Sequence, residues 1–307
     1  MPISSQCPSI GACFNPMSLL TSVSQRFFST SPLRGRGQTA TAPPHLTNPK
    51  RFPYGAFRFD IQLSKGVPYA VHASSDLVTW TEINRDITRD ISTECLDSSA
   101  HKYGHRFYQA TCHGPCASNV LGYASTTVSP GYSMVANPFT GGSNHVEEVL
   151  AGWPEGTAVT RFDPAQFRLK ESVLEGGKWT LSGERFVPGE GSILLNPTSN
   201  YITINFAGEV SAGAFSSPVP AGFSIRSCMG PLFGRIREDL HFPIVEGDVI
   251  HLFDRDRQSY SVYEFQNGKW DKDPPVIGLC ESFWVGKSTA DNWHQPIDIH
   301  CADEAQP

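Results

Sequence analysis

An internal repeat with a constant spacing of 91 residues limits the folds open to this chain more than any other feature of its sequence. Residues that are rare or conformationally special recur at that spacing. The matched pairs are Gly131 and Gly222, Glu155-Gly156 and Glu246-Gly247, Phe162-Asp163 and Phe253-Asp254, Gly177-Lys178-Trp179 and Gly268-Lys269-Trp270, and Glu190 and Glu281. Chance does not hold one spacing across so many such residues, so the sequence predicts two tandem copies of one structural unit.

Each copy has the turn chemistry of a β-rich unit. Gly176-Gly177 and Asn267-Gly268 provide the positive φ angles that a two-residue hairpin turn requires. Charged residues are only 18% of the chain and aromatic residues 11%, which favours many short strands joined by tight turns. The expected fold is therefore all-β, with one short helix in each repeat. We expect Asn144 to cap the helix of copy one, and Ile236 and Leu240 to face the core in copy two.

A separate β unit precedes the repeats, in residues 52–125. Phe57, Phe59, Ile61 and Leu63 occupy alternate positions, so they are expected to line one face of a strand. Further short segments follow at regular spacing, which is typical of a small β-sandwich.

Motifs in this first unit resemble a module of uncharacterised bacterial secreted and cell-surface proteins. The module has a Tyr-containing strand, Ser-x-Asp-Leu-x-x-Trp, an acidic turn and Arg-Phe-Tyr-Arg. The corresponding residues here are Tyr69, Ser74-Ser75-Asp76-Leu77-Val78-Thr79-Trp80, Asp97 and Arg106-Phe107-Tyr108-Gln109. Only Gln109 departs from the pattern. The resemblance implies a fibronectin- or immunoglobulin-like sandwich that serves as an accessory module rather than a catalytic one.

The duplicated part resembles the C-terminal half of the same proteins. The shared features are Asn137-Pro138, the two Gly-Lys-Trp hairpins, Pro188-Gly189-Glu190-Gly191 and Trp293. This resemblance implies an extracellular or cell-surface location, and it provides no catalytic residues.

These patterns divide the chain into five segments. Residues 1–50 are rich in Ser, Thr, Pro and Gly without a periodic apolar pattern, so we expect a disordered tail or linker. This segment has no acidic residue, and Arg26-Phe27-Phe28-Ser29-Thr30-Ser31 resembles a mitochondrial presequence cleavage region, so a mitochondrial location stays open. The remaining segments are the sandwich at 52–125, copy one at 126–215, copy two at 216–300 and a tail at 301–307.

Charge is unevenly distributed along the chain. Residues 1–59 hold six of the 24 Lys and Arg residues and none of the 30 Asp and Glu residues, so residues 60–307 carry 18 basic and 30 acidic side chains, a net charge of −12. A region with this net negative charge is unsuited to contacts with phosphate groups, so nucleic acid is not an expected partner. No stretch reaches the roughly 20 apolar residues that span a bilayer, so no membrane span is expected.

The densest group of potential metal ligands comprises His101, His105, Cys112 and Cys116. Two imidazoles and two thiolates could hold zinc in tetrahedral geometry. Their spacing fits no familiar zinc motif, so the favoured interpretations are a Cys112–Cys116 disulfide, free thiols or exposed histidines. No cofactor is expected.

Two glutamates related by the repeat are the candidates for catalysis. Glu190 and Glu281 could act as the paired carboxylates of a glycoside hydrolase, which need no local motif. The favoured interpretation is that they accept N–H bonds at the bends that contain them. No Gly-x-Ser-x-Gly, His-Glu-x-x-His or phosphate-binding glycine loop occurs in the sequence.

Tryptophans are the candidates for ligand binding, since an exposed indole can stack on a sugar ring. Those expected to pack in the core are Trp80, Trp179 and Trp270. The less constrained ones, and so the candidate ligand-binding residues, are Trp153, Trp284 and Trp293.

The leading functional hypothesis is a non-enzymatic extracellular or cell-surface protein that serves in binding, adhesion or display. Its partner would be a polysaccharide or another cell-surface component. One alternative is a carbohydrate-active hydrolase with carboxylates at the interface of the two copies. The other is a zinc-binding module within residues 101–116.

Overall fold

The computed structural model describes residues 42–112, 116–141 and 144–302, and it confirms an all-β fold of short antiparallel strands. A 3₁₀ helix at Ser98–Lys102 interrupts the strands of the first unit. These strands are β1 His45–Arg51, β2 Phe57–Gln62, β3 Pro68–Ser74, β4 Thr81–Ile87, β5 Ser92–Asp97, β6 His105–Cys112, β7 Cys116–Ala117 and β8 Val120–Val128.

The first eight strands form a two-layer sandwich. One sheet has the order β1-β2-β5, and the opposing sheet contains β4, β3, β6 and β8 in that order, with the short β7 beside β6. Side chains of β2 alternate as the sequence predicts, so that Phe57, Phe59 and Ile61 are fully buried between the sheets. Tyr108 of β6 stacks on Phe57, with ring centroids 4.9 Å apart. The expected small β-sandwich is therefore present.

A buried polar network connects the two sheets of the sandwich. Asp97 at the end of β5 accepts hydrogen bonds from Arg106 Nη1 at 2.6 Å and from Tyr108 OH at 2.8 Å, both on β6. It also accepts the backbone N–H of Ser99 at 2.8 Å. Burial raises the pKa of the Asp97 carboxyl, but the hydrogen bonds from Ser99 and Tyr108 and the charge of Arg106 outweigh burial and hold this pKa below its ordinary value.

The folded part begins before residue 52. β1 is a strand although the sequence predicts a disordered tail through residue 50, so that prediction is wrong for β1. Leu46 is buried, and its N–H donates to Asn119 Oδ1 at 2.8 Å. The contacts that fix this strand come from distant parts of the chain, which is why no local pattern revealed it. Residues 1–41 and 303–307 lie outside the described residues.

The two copies contain the remaining elements. Copy one has β9 Gly131–Val135, α1 Val146–Val149, β10 Ala158–Asp163, β11 Arg168–Glu175, β12 Lys178–Trp179, β13 Ser192–Asn196 and β14 Ile202–Val210. Copy two has β15 Gly213–Val219, β16 Gly222–Ser227, β17 Gly234–Arg235, β18 Val249–Asp254, β19 Ser259–Gln266, β20 Lys269–Trp270, β21 Val276–Ile277, β22 Ser282–Lys287 and β23 Asp291–Ile297.

The copies share one sheet topology and one register. The strand orders are β12-β11-β10-β13-β9 and β20-β19-β18-β22-β16. The register partners Gly131 and Asn196 correspond, at the spacing of 91, to the partners Gly222 and Lys287. The pairing of β10 with β11 agrees in the same way with that of β18 and β19. The duplication predicted from the sequence is confirmed.

Equivalent carboxylates stabilise the two hairpin turns. Glu155 accepts both N–H groups of Gly176-Gly177, at 2.8 and 2.7 Å. Glu246 accepts both N–H groups of Asn267-Gly268, at 2.6 and 3.3 Å. All four turn residues have positive φ, as predicted. The repeated Glu-Gly and Gly-Lys-Trp motifs therefore belong to one structural device.

The prediction of a helix is correct for copy one and wrong for copy two. Helix α1 has four residues and begins after His145, so the predicted cap at Asn144 is also wrong. In copy two, residues 236–240 form hydrogen-bonded turns instead. Ile236 and Leu240 are still buried, because the apolar spacing requires burial of two side chains and a turn achieves it as well as a helix does. No helix among the described residues is long and apolar enough to cross a membrane.

Strand β14 joins copy one to the sandwich. It pairs with β8 along nine residues and so becomes the outer strand of the sandwich sheet. β23 pairs with β15 in the corresponding place in copy two. Each copy therefore begins with the strand that precedes its first matched glycine. This strand is β15 in copy two and β8 in copy one, and β8 is shared with the sandwich. The expected segment boundaries at 125/126 and 215/216 fall inside β8 and β15.

The sheet that contains β8 has a hydrophobic core on each face. Leu121 and Tyr123 face the core of the sandwich. Val120 and Ala124 face a second core, which is formed with copy one and also includes Cys280 of copy two. A third core fills copy two. The sandwich and copy one thus pack on opposite faces of one shared sheet.

Candidate functional site

The two copies contact each other through equivalent surfaces. Val135 of copy one forms an antiparallel bridge with Glu281 of copy two, and Arg226 of copy two forms one with Glu190 of copy one. Since Val135 corresponds to Arg226 and Glu190 to Glu281, the interface has approximate two-fold symmetry. Gly191 lies at this contact, where a Cβ atom would stand 2.4 Å from side-chain atoms of copy two. Close approach of the copies therefore requires glycine there.

Glu190 and Glu281, the predicted carboxylates, lie at this interface and have different surroundings. Glu281 accepts the N–H of Gly278 at 2.7 Å, and burial raises the pKa of its carboxyl. Glu281 thus has the bend-forming role that the sequence favours. Glu190 is exposed. Burial lowers the pKa of Arg161 and of Arg226, and the negative charge of Glu190 partly offsets this lowering.

Glu281 also lines a polar cleft of about 270 Å³ together with Asp254 and Asp256. Asp254 Oδ1 accepts the N–H groups of Asp256 and Arg257, each at 3.0 Å, and so holds its own turn. Asp163, the equivalent residue of copy one, holds the corresponding turn in the same way. The aspartate repeated in both copies therefore has a structural role.

The candidate zinc ligands His105 and Cys112 do not meet. His105 and Cys112 are the two ends of β6, seven positions apart, which is about 23 Å along a strand. His101 contacts Ser98 O through Nδ1 at 2.8 Å, and Cys112 is the register partner of Cys116. Zinc requires all its ligands within about 2.3 Å of the metal, so His105 and Cys112 cannot bind the same ion. Within the described ranges there is no group of three or more residues suited to hold a metal.

Two further cysteines, Cys228 and Cys280, are buried in copy two without a disulfide. Burial raises the pKa of the Cys228 thiol to about 12, and it also raises the pKa of Cys280. Both thiols are therefore unreactive apolar packing groups in the folded chain.

The three candidate tryptophans occupy three different environments. Trp293 is fully buried and donates its Nε1–H to Leu240 O at 2.8 Å, so its prediction as a ligand-binding residue is wrong. The reason is its inward position on β23, where buried and exposed side chains alternate. Trp153 lines a cleft of about 540 Å³ beside Trp179. Trp284 lies in a pocket that aromatic side chains of both copies form.

This aromatic pocket has a volume of about 380 Å³. Copy one contributes two of its residues and copy two contributes four. The lining residues are Phe162, Phe167, Phe223, His251, Tyr260 and Trp284. His251 of β18 and Trp284 of β22 are register partners, so their side chains share the sheet face opposite to the core of copy two.

The rings of the pocket meet at steep angles. Phe162 lies 5.0 Å from Trp284 at an interplanar angle of 65°, and 5.4 Å from Phe167 at 82°. His251 lies 6.2 Å from Tyr260 at 84°. These angles create concave corners between ring faces rather than one flat platform.

The pocket carries no formal charge at neutral pH. None of its six lining residues is Lys, Arg, Asp or Glu. Burial lowers the pKa of His251, so its imidazole is neutral at pH 7. The Nε1–H of Trp284 donates to Tyr260 OH at 3.3 Å, so these two polar groups already satisfy each other in part. A ligand therefore meets mostly aromatic carbon.

The equivalent place at the other end of the interface is built from different residues. At the spacing of 91, its residues are Tyr132, Thr160, Leu169, Ile193, Phe253 and Gln258. Gln258 accepts the N–H of Tyr132 and donates to its carbonyl oxygen, both at 2.8 Å. Four positions that are aromatic in the pocket are therefore non-aromatic here, and an amide side chain occupies the space where Phe167 stands in the pocket.

Of the six lining residues, only Trp284 is a ligand-binding candidate from the sequence alone. Phe162 and Phe167 reach the pocket because the two copies pack together, and no local pattern encodes that contact. A usable signal did exist, since comparison of the copies shows Thr, Leu and Ile replaced by His251, Tyr260 and Trp284.

No family model matches the chain, and no curated protein does. Among solved structures, the chain is similar to the FN1–FN3 domains of chicken CNTN1, with 9% identity, coverage of 80% of this chain and 99% of that chain, and a TM-score of 0.21. It is also similar to a tetra-tandem repeat from the extending region of a large adhesion protein, with 10% identity, coverage of 85% and 76%, and a TM-score of 0.22. Values this low do not indicate a shared function.

Proposed function

We propose that this protein is a non-enzymatic binding protein of the cell surface or extracellular space, and that the aromatic pocket between its two copies holds the ligand. The observation that carries the proposal is the difference between the two ends of one pseudo-symmetric interface. At one end Gln258 forms two hydrogen bonds with the backbone of Tyr132, and at the other end six aromatic side chains line an open pocket. Exposed aromatic surface costs free energy in water, so a pocket of this kind is accounted for by a ligand that covers it.

The hydrolase alternative has weaker support. A glycoside hydrolase needs two carboxyl groups free to face the scissile bond, one of them with a raised pKa. Glu281 has a raised pKa, but its carboxylate already binds the N–H of its own bend. Asp254 lines the same cleft, but its carboxylate holds a turn. Asp163 holds the equivalent turn in copy one, so this role of the aspartate is structural.

Paired variants test the proposed function. Phe223→Ala removes a ring from the pocket, while Tyr132→Ala removes the equivalent ring at the other end of the interface. The two side chains are similarly exposed, at 43% and 48%. We expect binding to an immobilised glycan and small-molecule array to be at least about tenfold weaker for Phe223→Ala and unchanged for Tyr132→Ala. Equal binding by both variants would contradict the pocket, and release of a cleaved product would contradict a non-enzymatic role.

A further inference from the structure

We propose that the aromatic pocket recognises an organic cation, specifically a quaternary ammonium group. This inference rests on the proposed function, since it names the class of ligand for the same pocket. A positive charge over the face of Trp, Tyr or Phe within about 6 Å of the ring centroid is attracted by the ring quadrupole.

The ring geometry suits a compact cation. The centroids of Phe162 and Trp284 are 5.0 Å apart and their planes meet at 65°. A rounded group in that corner can lie within about 6 Å of both centroids at once. A flat sugar ring stacks best on one broad platform, which rings at 65°, 82° and 84° do not provide.

The hydrogen-bonding capacity of the pocket also favours this class. A sugar or a primary amine brings donors that must find partners when they leave water, or binding loses about 1–3 kcal/mol for each. Tyr260 OH and Trp284 Nε1 are engaged with each other, and three of the six lining residues are phenylalanines, so the imidazole of His251 provides most of the remaining hydrogen-bonding capacity. A quaternary ammonium group has no N–H and needs no such partner.

Long-range electrostatics act in the same direction. The described residues, which lie within 42–302, hold 21 Lys and Arg and 28 Asp and Glu residues, a net charge of −7, so the folded body attracts cations and repels anions. No Lys or Arg lines the pocket to oppose a bound positive charge. Together, the acidic body draws a cation in and the uncharged aromatic corner desolvates it.

The test compares choline with its neutral isostere, 3,3-dimethyl-1-butanol, in titrations of the full chain followed by tryptophan fluorescence and isothermal calorimetry. The two probes differ in charge but hardly in shape. We expect choline to bind at least about tenfold more tightly, because a desolvated cation–π contact is worth more than the shared apolar contact alone. Phe223→Ala and Trp284→Ala are expected to abolish this preference, and Tyr132→Ala is expected to keep it.

The outcomes separate this inference from the proposed function. Equal affinity for choline and the isostere, both lost in Phe223→Ala, would overturn the cation and leave the pocket as a binding site. A glycan that binds in place of choline and is lost in the same variant would do likewise. If no probe responds to Phe223→Ala while thermal unfolding shows the variant to be folded, both proposals fail. Phosphatidylcholine vesicles, assayed beside free choline, distinguish a lipid head group from a soluble ligand.

Discussion

Removal of the Asp97 carboxylate tests whether the polar network of Asp97, Arg106 and Tyr108 between the two sheets stabilises the fold. Asp97 is the acceptor for Arg106 Nη1, Tyr108 OH and the N–H of Ser99, and both Asp97 and Arg106 are more than nine-tenths buried. Asp97→Ala leaves a buried guanidinium without its counter-charge and a buried phenol without its acceptor. Loss of one partner from a buried ion pair costs about 3–5 kcal/mol, and an unsatisfied buried hydroxyl costs about 1–3 kcal/mol.

Because these terms overlap, we expect Asp97→Ala to lower the free energy of unfolding by about 4 kcal/mol, a large share of the roughly 5–15 kcal/mol typical of a domain. Urea unfolding followed by tryptophan fluorescence measures this difference. Asp97→Asn keeps an acceptor of the same shape and is expected to lose less. Asp163→Ala removes a half-buried turn carboxylate that has no ion-pair role in the sandwich and serves as the control, with an expected loss of about 1 kcal/mol.

The pH dependence gives an independent check. The pKa of Asp97 is lower in the folded chain than the roughly 3.9 of an unfolded aspartate. Its ionised form therefore stabilises the fold above about pH 4, and this contribution is lost as the pH falls through the lowered pKa. The difference in stability between the wild type and Asp97→Ala should shrink below pH 4. A constant difference, or a loss of under about 1 kcal/mol at pH 7, would refute the reasoning.

Two further predictions concern the interface and the pocket. Gly191→Ala would place a Cβ atom 2.4 Å from Ile225 Cγ2, so we expect a lower melting temperature and loss of the pocket. Gly104→Ala meets open space and should change neither, in differential scanning calorimetry and in ligand titration alike. Choline binding should weaken as the pH falls through the His251 pKa, which burial holds below the roughly 6.5 of an ordinary histidine, because protonated His251 adds a positive charge to a pocket whose other titratable lining side chain is Tyr260. His251→Gln should remove that pH dependence, and its persistence in titrations of the variant would rule out this cause.

The parts of the fold that depend on local backbone geometry could be predicted from the sequence. Gly176-Gly177 and Asn267-Gly268 specify their turns because few other residues adopt positive φ. The alternation of Phe57 and Phe59 specifies a strand because side chains of a strand point to opposite faces. Because the repeat spacing is constant, a strand or turn predicted in one copy is also predicted at the equivalent position of the other copy.

The parts that depend on contacts between distant segments could not be predicted. β1 is held by β2 and by Asn119, and nothing in its own residues indicates a strand. The alternative of a zinc site overlooked that two residues close in sequence, His105 and Cys112, lie about 23 Å apart on one extended strand. The pocket was missed because Phe162 meets Trp284 only when the copies pack.

The pairing of β14 with β8 has a practical consequence for any attempt to divide this chain. A fragment that ends at residue 125 would lack the last residues of β8 and the whole of its neighbour β14. It would present a bare strand edge to solvent, together with an apolar face that Val120 and Ala124 help to form. Unpaired edges of this kind recruit other chains, so the sandwich alone should aggregate where the longer chain stays dispersed.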